Sequence, residues 1–586
     1  MIETPEWKHS SSASEKFWWK ALLAATAANC LLQIAWFWRF RAHDVVMDGI
    51  EYIGVARHLV DGNVKASLHG YWSPLTSWII AGTAIFGRNF TLLGHLVTIA
   101  SFLLCLPLLY WLTYELWRSR VAAALAVFWF STSRGMVEDS VGSILADFVL
   151  TACVLLYFTL LLRALRRNRQ ADWLRLGGAH ALAFLAKAIA MPWLAISTVI
   201  AVLARSVFAQ SVFAQNVRPR RFVSSLLLAF VLPAAVWSAW GLALRTKYGQ
   251  FTPGYQLRAN LMTNWNRKLS HHARGDNLAF VDTSSVYDEY MVAEFWPRVR
   301  SFHEPATDLL PMMIATEFHN LPAAVKEILI LLNPGGVLAL GAMLMVLIGT
   351  RAQHQAETAL AGIVVVSLLA LIAAYCMLVF DARYVIPIVP VLIALACPML
   401  LPATLLPATM LPTSLAPDVP HAPRWLQKTA LGLFVAGTIF FSLYWASPFR
   451  TVDRDFEVSC YRAADFLRDA KAHGTLVSLG SGPYPDHGVG FEAAPYTAYM
   501  AGWRTVGENS ELPELAGADE LTNQALAMKA DAVLVWGSPA NPAYAHIVQA
   551  IQRAPGFSSA NKVTDPFKGE VGTAALFRRD DPAVSP

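Results

Sequence analysis

Long apolar runs separated by short polar or basic stretches dominate this chain. Runs near the ~20 residues that a helix needs to cross lipid recur from end to end. They predict spans at about 17–40, 91–114, 121–136, 144–162, 176–188, 190–204, 222–244, 325–348, 358–380, 384–402 and 429–447. Two stretches need a further argument. Residues 72–87, "WSPLTSWIIAGTAIFG", are apolar but short, and counting them as a span would put the basic runs that follow on the outside. They predict an amphipathic or re-entrant helix on the outer face. Residues 176–204 read as one long helix by hydropathy, but the basic clusters on both flanks require an even number of crossings. Two short helices turning near Lys187 are therefore expected.

The pattern changes after residue 448. "RAADFLRDAKAHGTLVSLGS" and "LTNQALAMKADAVLVWGS" each read as an amphipathic helix running into a short apolar strand. A small soluble α/β domain is expected over 451–586. Before the last span, "PATLLPATMLPTSLAPDVPHAP" carries too many prolines for regular helix and reads as a linker over 401–428. Residues 1–16 form a polar tail.

Composition and charge turn these segments into a topology. Of 586 residues, 55% are hydrophobic and only 15% charged, where a soluble domain carries about 25% charged residues. The expected class is a polytopic α-helical membrane protein with about eleven spans over 17–447. The net charge of +5 sits in short clusters between apolar runs. That is the positive-inside pattern, not a nucleic-acid surface. Arg118 and Arg120, "RALRRNRQADWLR", "RSVFAQSVFAQNVRPRR", Arg351, and Arg424 with Lys428 then share the cytoplasmic side. Residues 41–90, 137–143, 245–324, the turn at Asp381 and everything after 448 lie outside, which in a bacterium is the periplasmic side of the inner membrane. Five of the six cysteines lie in apolar segments, with no disulfide framework or metal-ligand spacing.

A few ionisable residues stand out against this background. "RAHDVVMDGIEYIGVARHL" directly follows the first span. On a helix Asp44, Asp48 and Tyr52 share a face at i, i+4 and i+8, with Glu51 at i+3 from Asp48. Val55, Ala56 and Leu59 continue the stripe, as in a helix lying along the membrane; the blander alternative is a solvated acidic loop. Asp147 opens a span just after a loop with Glu138 and Asp139. A charge at membrane depth costs about 2.5–3.5 kcal/mol at the centre and less near an interface, where Asp147 could simply cap its helix. Lys187 is a lone cation in "LAFLAKAIAMPWLA", and Asp381 and Arg383 fall beside Tyr384 where a span begins. All of these residues fall on the outer side. Carboxylates that can take a proton then face cations that can hold a phosphate, which suits transfer from a phosphate-linked donor. His271, His272, Glu317 and His319 lie in the long outer segment, and the adjacent histidines lack helical ligand spacing.

These motifs resemble those of the GT-C glycosyltransferases. "DGIEYIGVARHL" is similar to the family's first outer loop, "YWSPLTSWIIAG" to the aromatic-Pro-Leu helix after it, and "SILADFVLTACVLLYF" to its second acidic site. "AFLAKAIAMP" resembles its Lys-containing turn and "ARYVIPIVPVL" its Arg-Tyr-x-x-Pro element. The order and spacing match over roughly 17–400, nearest to the protein O-mannosyltransferases and the aminoarabinose transferases. The chain departs from them at Gly49, where the mannosyltransferases carry Glu, and at His69, the nearest counterpart of a Lys in the aminoarabinose transferases.

The resemblance implies an inverting transferase that moves a sugar from a polyprenyl-phosphate donor to a hydroxyl of a lipid, glycan or protein acceptor. It implies Asp48 as general base, Asp147 as second acid, and Lys187 and Arg383 as partners of the lipid phosphate. Asp44, Glu51, Tyr52, His69, Glu138, Asp139 and Tyr384 are the expected supporting or acceptor-side residues. No cofactor is required, and a divalent cation shared by Asp48 and Asp147 stays open. Three alternatives stand: a flippase or transporter, a ligase using lipid diphosphate glycans, and a non-catalytic sensor.

Overall fold

The computed structural model describes residues 13–38, 47–208, 219–269, 300–301, 306–332, 355–377 and 382–400. In the C-terminal part it describes 464, 467–468, 474–479, 497–498, 501, 503–509, 517–537, 542–558 and 573–579. The helical body opens with α1 (Ala13–Trp38), α2 (Met47–Val60), α3 (Val64–Ser67) and α4 (Pro74–Thr83). It continues through α5 (Phe90–Trp117), α6 (Arg120–Thr132), α7 (Arg134–Gly142), α8 (Asp147–Arg167), α9 (Gln170–Ala186) and α10 (Ala190–Phe208). Then come α11 (Pro219–Tyr248), α12 (Gln256–Leu269), α13 (Ala306–Leu332), α14 (Gln355–Cys376), a 3-10 turn at Ala382–Val385, and α15 (Val389–Leu400).

Local chemistry sets many of these boundaries. Asn89 caps α5 by accepting from the N–H of Leu92 at 3.0 Å, and Ser119 does the same for α6 through Ala122 at 3.2 Å. α5 and α8 end in left-handed residues, Arg118 and Asn168, each at φ 54°. At about 1.5 Å per residue, the 28 residues of α5 reach about 42 Å, enough to cross a bilayer. α4 is only 10 residues long, about 15 Å, and cannot cross alone, as its short apolar run implied. The break near Lys187 is also present: α9 stops at Ala186, Lys187 is extended at φ −151°, and α10 starts at Ala190. Pro192 falls in the first turn of α10, where its missing N–H costs no helical bond.

Among the described residues three helices are long and apolar enough to cross a membrane: Phe90–Trp117, Asp147–Arg167 and Val223–Tyr248 within α11. Shorter apolar helices include Arg120–Thr132, Ala190–Ala204 and Leu360–Cys376. The expected span 429–447, the linker 401–428 and much of 325–348 lie outside the described residues. One core binds the body, drawing Phe102, Trp129, Phe158, Trp193, Leu368 and Ile393 from six helices.

The described residues within 245–324 are largely helical, in keeping with the outer segment with amphipathic helices expected there. α11 runs to Tyr248, α12 follows, and 306–324 belong to α13, a helix of 27 residues. That helix passes through Pro311 and Pro322. One expectation, that for α2, needs correction. α2 does not lie along a surface with one wet face. Residues 51 to 56 are all buried, because protein covers the helix on several sides.

Part of that cover comes from the C-terminal residues. β1 (Thr475–Leu479), β2 (Arg504–Asn509), β3 (Ala532–Gly537), β4 (Phe557–Ser558) and β5 (Thr573–Arg579) form one sheet in the order β2-β1-β3-β5-β4. β2, β1 and β3 run parallel, and β5 closes antiparallel on β3. α16 (Ala518–Ala527) and α17 (Pro542–Arg553) pack beside it. A continuous buried cluster joins Ile50 and Ile53 of α2, Ile80 of α4 and Ile144 to Leu476, Trp503 and Leu534 of this unit.

Candidate active site

The expected ionisable residues come together from four separate parts of the chain. Asp48 sits in the first turn of α2 and Asp147 in the first turn of α8. Both carboxylates are thus at helix N-termini, where the backbone dipole favours negative charge. Lys187 occupies the break between α9 and α10, and Arg383 and Tyr384 the 3-10 turn ahead of α15.

The charges pair in two couples. Lys187 Nζ donates to Asp147 Oδ1 at 2.6 Å, with the two side chains 9% and 2% exposed. Arg383 Nη1 lies 2.5 Å from Asp48 Oδ2, with exposures of 20% and 18%. Tyr384 joins them, its ring 4.9 Å from Lys187 Nζ and 5.8 Å from the Arg383 guanidinium carbon. Tyr375 stacks on Tyr384 at 4.6 Å. Burial pushes the Tyr52 phenol well above its usual pKa, and the Asp48 and Asp147 charges add to the rise. Tyr52 therefore stays a neutral hydroxyl beside both carboxylates.

A cavity of about 440 Å³ opens from this cluster, lined by Lys187, Tyr375 and Tyr384 and continuing past Ile189, Pro192 and Trp237. Of the four paired charges Lys187 alone lines it; Gln256 and Asn260 add polar groups, and most of the remaining wall is apolar. Such a shape suits a charged head on a hydrocarbon tail.

The loop before α4 is stapled to the opposite wall. Gly70 N–H donates to the Tyr248 hydroxyl at 3.1 Å, Tyr255 N–H to the Gly70 carbonyl at 2.8 Å, and Lys247 Nζ to the Leu68 carbonyl at 2.7 Å. Tyr71 donates its hydroxyl to Asn260, another cavity residue, at 3.2 Å. Trp72 meets Tyr52 edge-on at 5.8 Å. Gly70 is required here, since a Cβ would fall 2.6 Å from the Tyr255 ring. Gly49 is required too: a Cβ there would lie 2.9 Å from both Cβ and the carbonyl of Ile144. A glutamate after Asp48 has no room in this packing, which accounts physically for the first departure from the mannosyltransferase pattern.

His69 is buried, and the structure gives it a specific task. Its Nδ1 accepts the N–H groups of both Tyr71 and Trp72 at 3.1 Å, which fixes the aromatic loop and leaves the proton on Nε2. Burial, with the nearby Lys247 adding to it, lowers its pKa from 6.5 to about 3. Between those values the unfolded chain holds a proton here that the folded chain refuses. The contribution of this site to stability is therefore full above pH 6.5 and falls as pH drops toward 3, by about 1.4 kcal/mol per pH unit. Asn at 69 keeps an acceptor but does not titrate. The thermal midpoint of the wild type is expected to fall more steeply from pH 6.5 to 5 than that of His69→Asn; parallel slopes would contradict it.

Other candidates fall elsewhere. Glu51 is 3% exposed, deep in α2. Glu138 and Asp139 lie on α7, with Asp139 half-buried. Asp44, Asp381, His271 and His272 lie outside the described residues. Glu317 and His319 are on α13. Among the described residues no group of three His, Cys, Asp or Glu side chains could hold a metal ion. Sequence reasoning missed Tyr375, Tyr71, Lys247 and Asn260. For Tyr71 the aromatic-Pro-Leu segment was a signal, but nothing local marked Asn260.

No family model matches the chain, and no curated protein does. Solved structures do. ArnT from Cupriavidus metallidurans in the apo state aligns with a TM-score of 0.53 at 13% identity, covering 96% of this chain and 98% of that one. The same protein bound to undecaprenyl phosphate aligns at 0.52 and 11%, covering 96% and 99%. An oligosaccharyltransferase of Archaeoglobus fulgidus, in complex with Zn and sulfate, aligns at 0.49 and 11%, covering 87% and 67%. The two alignments to ArnT, a GT-C aminoarabinose transferase, run almost from end to end of both chains. The chain has the fold of the GT-C glycosyltransferases, and it is a membrane protein.

Proposed function

We propose that this protein is an inverting glycosyltransferase that moves a sugar from a polyprenyl-phosphate donor to an acceptor hydroxyl on the outer face of the membrane. The observation that carries the reading is a mainly apolar cavity lined by Lys187 and Tyr384, with Lys187 paired to Asp147 and Tyr384 beside the Arg383–Asp48 pair. Undecaprenyl phosphate, bound in one of the ArnT structures, has this build: one phosphate on a long hydrocarbon chain.

In this reading Lys187 and Arg383 hold the donor phosphate, and the lipid tail follows the apolar wall along α10. The acceptor hydroxyl approaches on the Asp48 side. Asp48 takes its proton as the oxygen attacks the anomeric carbon. The new carbon–oxygen bond forms as the bond from that carbon to the phosphate oxygen breaks, so configuration inverts. The electron pair leaves on the lipid phosphate, where Lys187 and Arg383 stabilise the growing charge. Asp147 holds Lys187 in place, and Tyr384 supports both cations from one ring. The His69 loop, with Tyr71 and Trp72, walls the acceptor side. A divalent cation shared by Asp48 and Asp147 is the alternative use of the two acids.

The threading with about eleven spans places the site and the C-terminal sheet outside, on the periplasmic side in a bacterium. Burial of α2 against that sheet supports a role for residues 451–586 in covering or presenting the acceptor. The test is reconstitution in proteoliposomes with a labelled polyprenyl-phosphate sugar and a membrane extract as acceptor source. The expected result is release of polyprenyl phosphate together with an inverted glycosidic product. Absence of turnover with every such donor would overturn the reading.

A further inference from the structure

We infer that the donor phosphate and Asp48 compete for Arg383, so that donor binding is the event that releases the base. The inference rests on the roles given above to these two residues and deepens them. One Asp48 oxygen lies 2.5 Å from Arg383 Nη1, so the carboxylate is engaged by a cation rather than open to the proton of a hydroxyl. A base held in this way is in reserve.

The two ion pairs differ in how they can receive a phosphate. Lys187 has three N–H donors. One goes to Asp147 Oδ1 at 2.6 Å, while the ammonium also lines the cavity beside Tyr384. It can bind phosphate and keep Asp147. That pair is also the more buried, at 9% and 2% exposure, and Asp147 has little access to solvent if released. Arg383 and Asp48 are each about a fifth exposed, so Asp48 can be solvated once it lets go. Two anions on one cation repel each other at either pair, and Asp48 is the one with water to move into. Exchange of partners relieves that repulsion.

The exchange orders a full cycle. The donor phosphodiester brings one negative charge and takes Arg383. Asp48, released, accepts the proton of the acceptor hydroxyl. Transfer leaves a phosphate monoester, which carries more charge than the donor and holds both cations more firmly. Asp48 passes its proton to water and, charged again, competes with the product for Arg383.

Binding, not turnover, tests this. Wild type, Asp48→Asn, Asp48→Ala and Asp147→Asn are placed in nanodiscs and titrated calorimetrically with farnesyl phosphate, and with farnesol as the control lacking phosphate. Thermal unfolding of each preparation confirms that it is folded. The expected result is binding at least fivefold tighter in both Asp48 variants than in wild type, with no tightening in Asp147→Asn. Equal or weaker binding in the Asp48 variants would overturn the exchange while leaving the phosphate site in place. Tightening in Asp147→Asn of the same size would also overturn it, since any lost acid would then suffice. No preference for farnesyl phosphate over farnesol in any protein would remove the phosphate site itself, and the exchange with it.

Discussion

Asp48→Asn is expected to lower sugar transfer by about 10²–10⁴-fold, the usual contribution of a general base. The substitution is nearly isosteric. Its carboxamide oxygen can still accept from Arg383, and Gly49 still packs against Ile144, so α2 has no reason to move. What is lost is the ability to take a proton while the hydroxyl attacks. Initial rates with the labelled donor, at matched protein and lipid, measure the effect. A variant that keeps half of the wild-type rate would remove Asp48 from the mechanism, whatever the fold.

The second large effect is on stability and falls at Lys187. The Asp147–Lys187 pair is 2.6 Å long and almost closed to water. Removing one partner of a buried pair strands the other charge, at a cost of about 3–5 kcal/mol. Lys187→Met should therefore lower the thermal midpoint strongly, because the nearly closed Asp147 carboxylate is left without its cation. Asp147→Asn in the Lys187→Met background removes the stranded charge and should recover most of the loss. Donor binding should not recover, since the cation is still missing. This separation of stability from binding is the informative outcome. A single variant Lys187→Met as stable as wild type would show that the pair is not a buried charge couple.

The elements most legible in the sequence were those set by composition alone. α5, α8 and α11 match expected spans because a run of apolar residues near membrane length has few other fates. The break at Lys187 was legible because charge on both flanks constrained the number of crossings. The ionisable cluster was legible for a related reason: acids and cations are rare in such sequence, so Asp48, Asp147, Lys187 and Arg383 stood out one by one. Which acid meets which cation was not legible, because the partners lie 40 or more positions apart and meet only through helix packing.

Other parts of the structure follow from contacts that no local pattern carries. α2 reads as a surface helix by its acids, but the cluster reaching Trp503 and Leu534 buries it. His69 was legible as a residue of this region, but its hold on two backbone N–H groups was not. Asn260 and Tyr375 are ordinary residues in the sequence, and only the fold brings them to the cavity.

The central claim is that a polyprenyl-phosphate sugar occupies the cavity beside Lys187 and Arg383. The most direct measurement is mass spectrometry of the lipids that copurify with Asp48→Asn protein from its native membrane. Without the base the donor should remain intact and bound. The account predicts a polyprenyl phosphate carrying a single sugar. Bulk phospholipids alone, or a glycan on a lipid diphosphate, would contradict it.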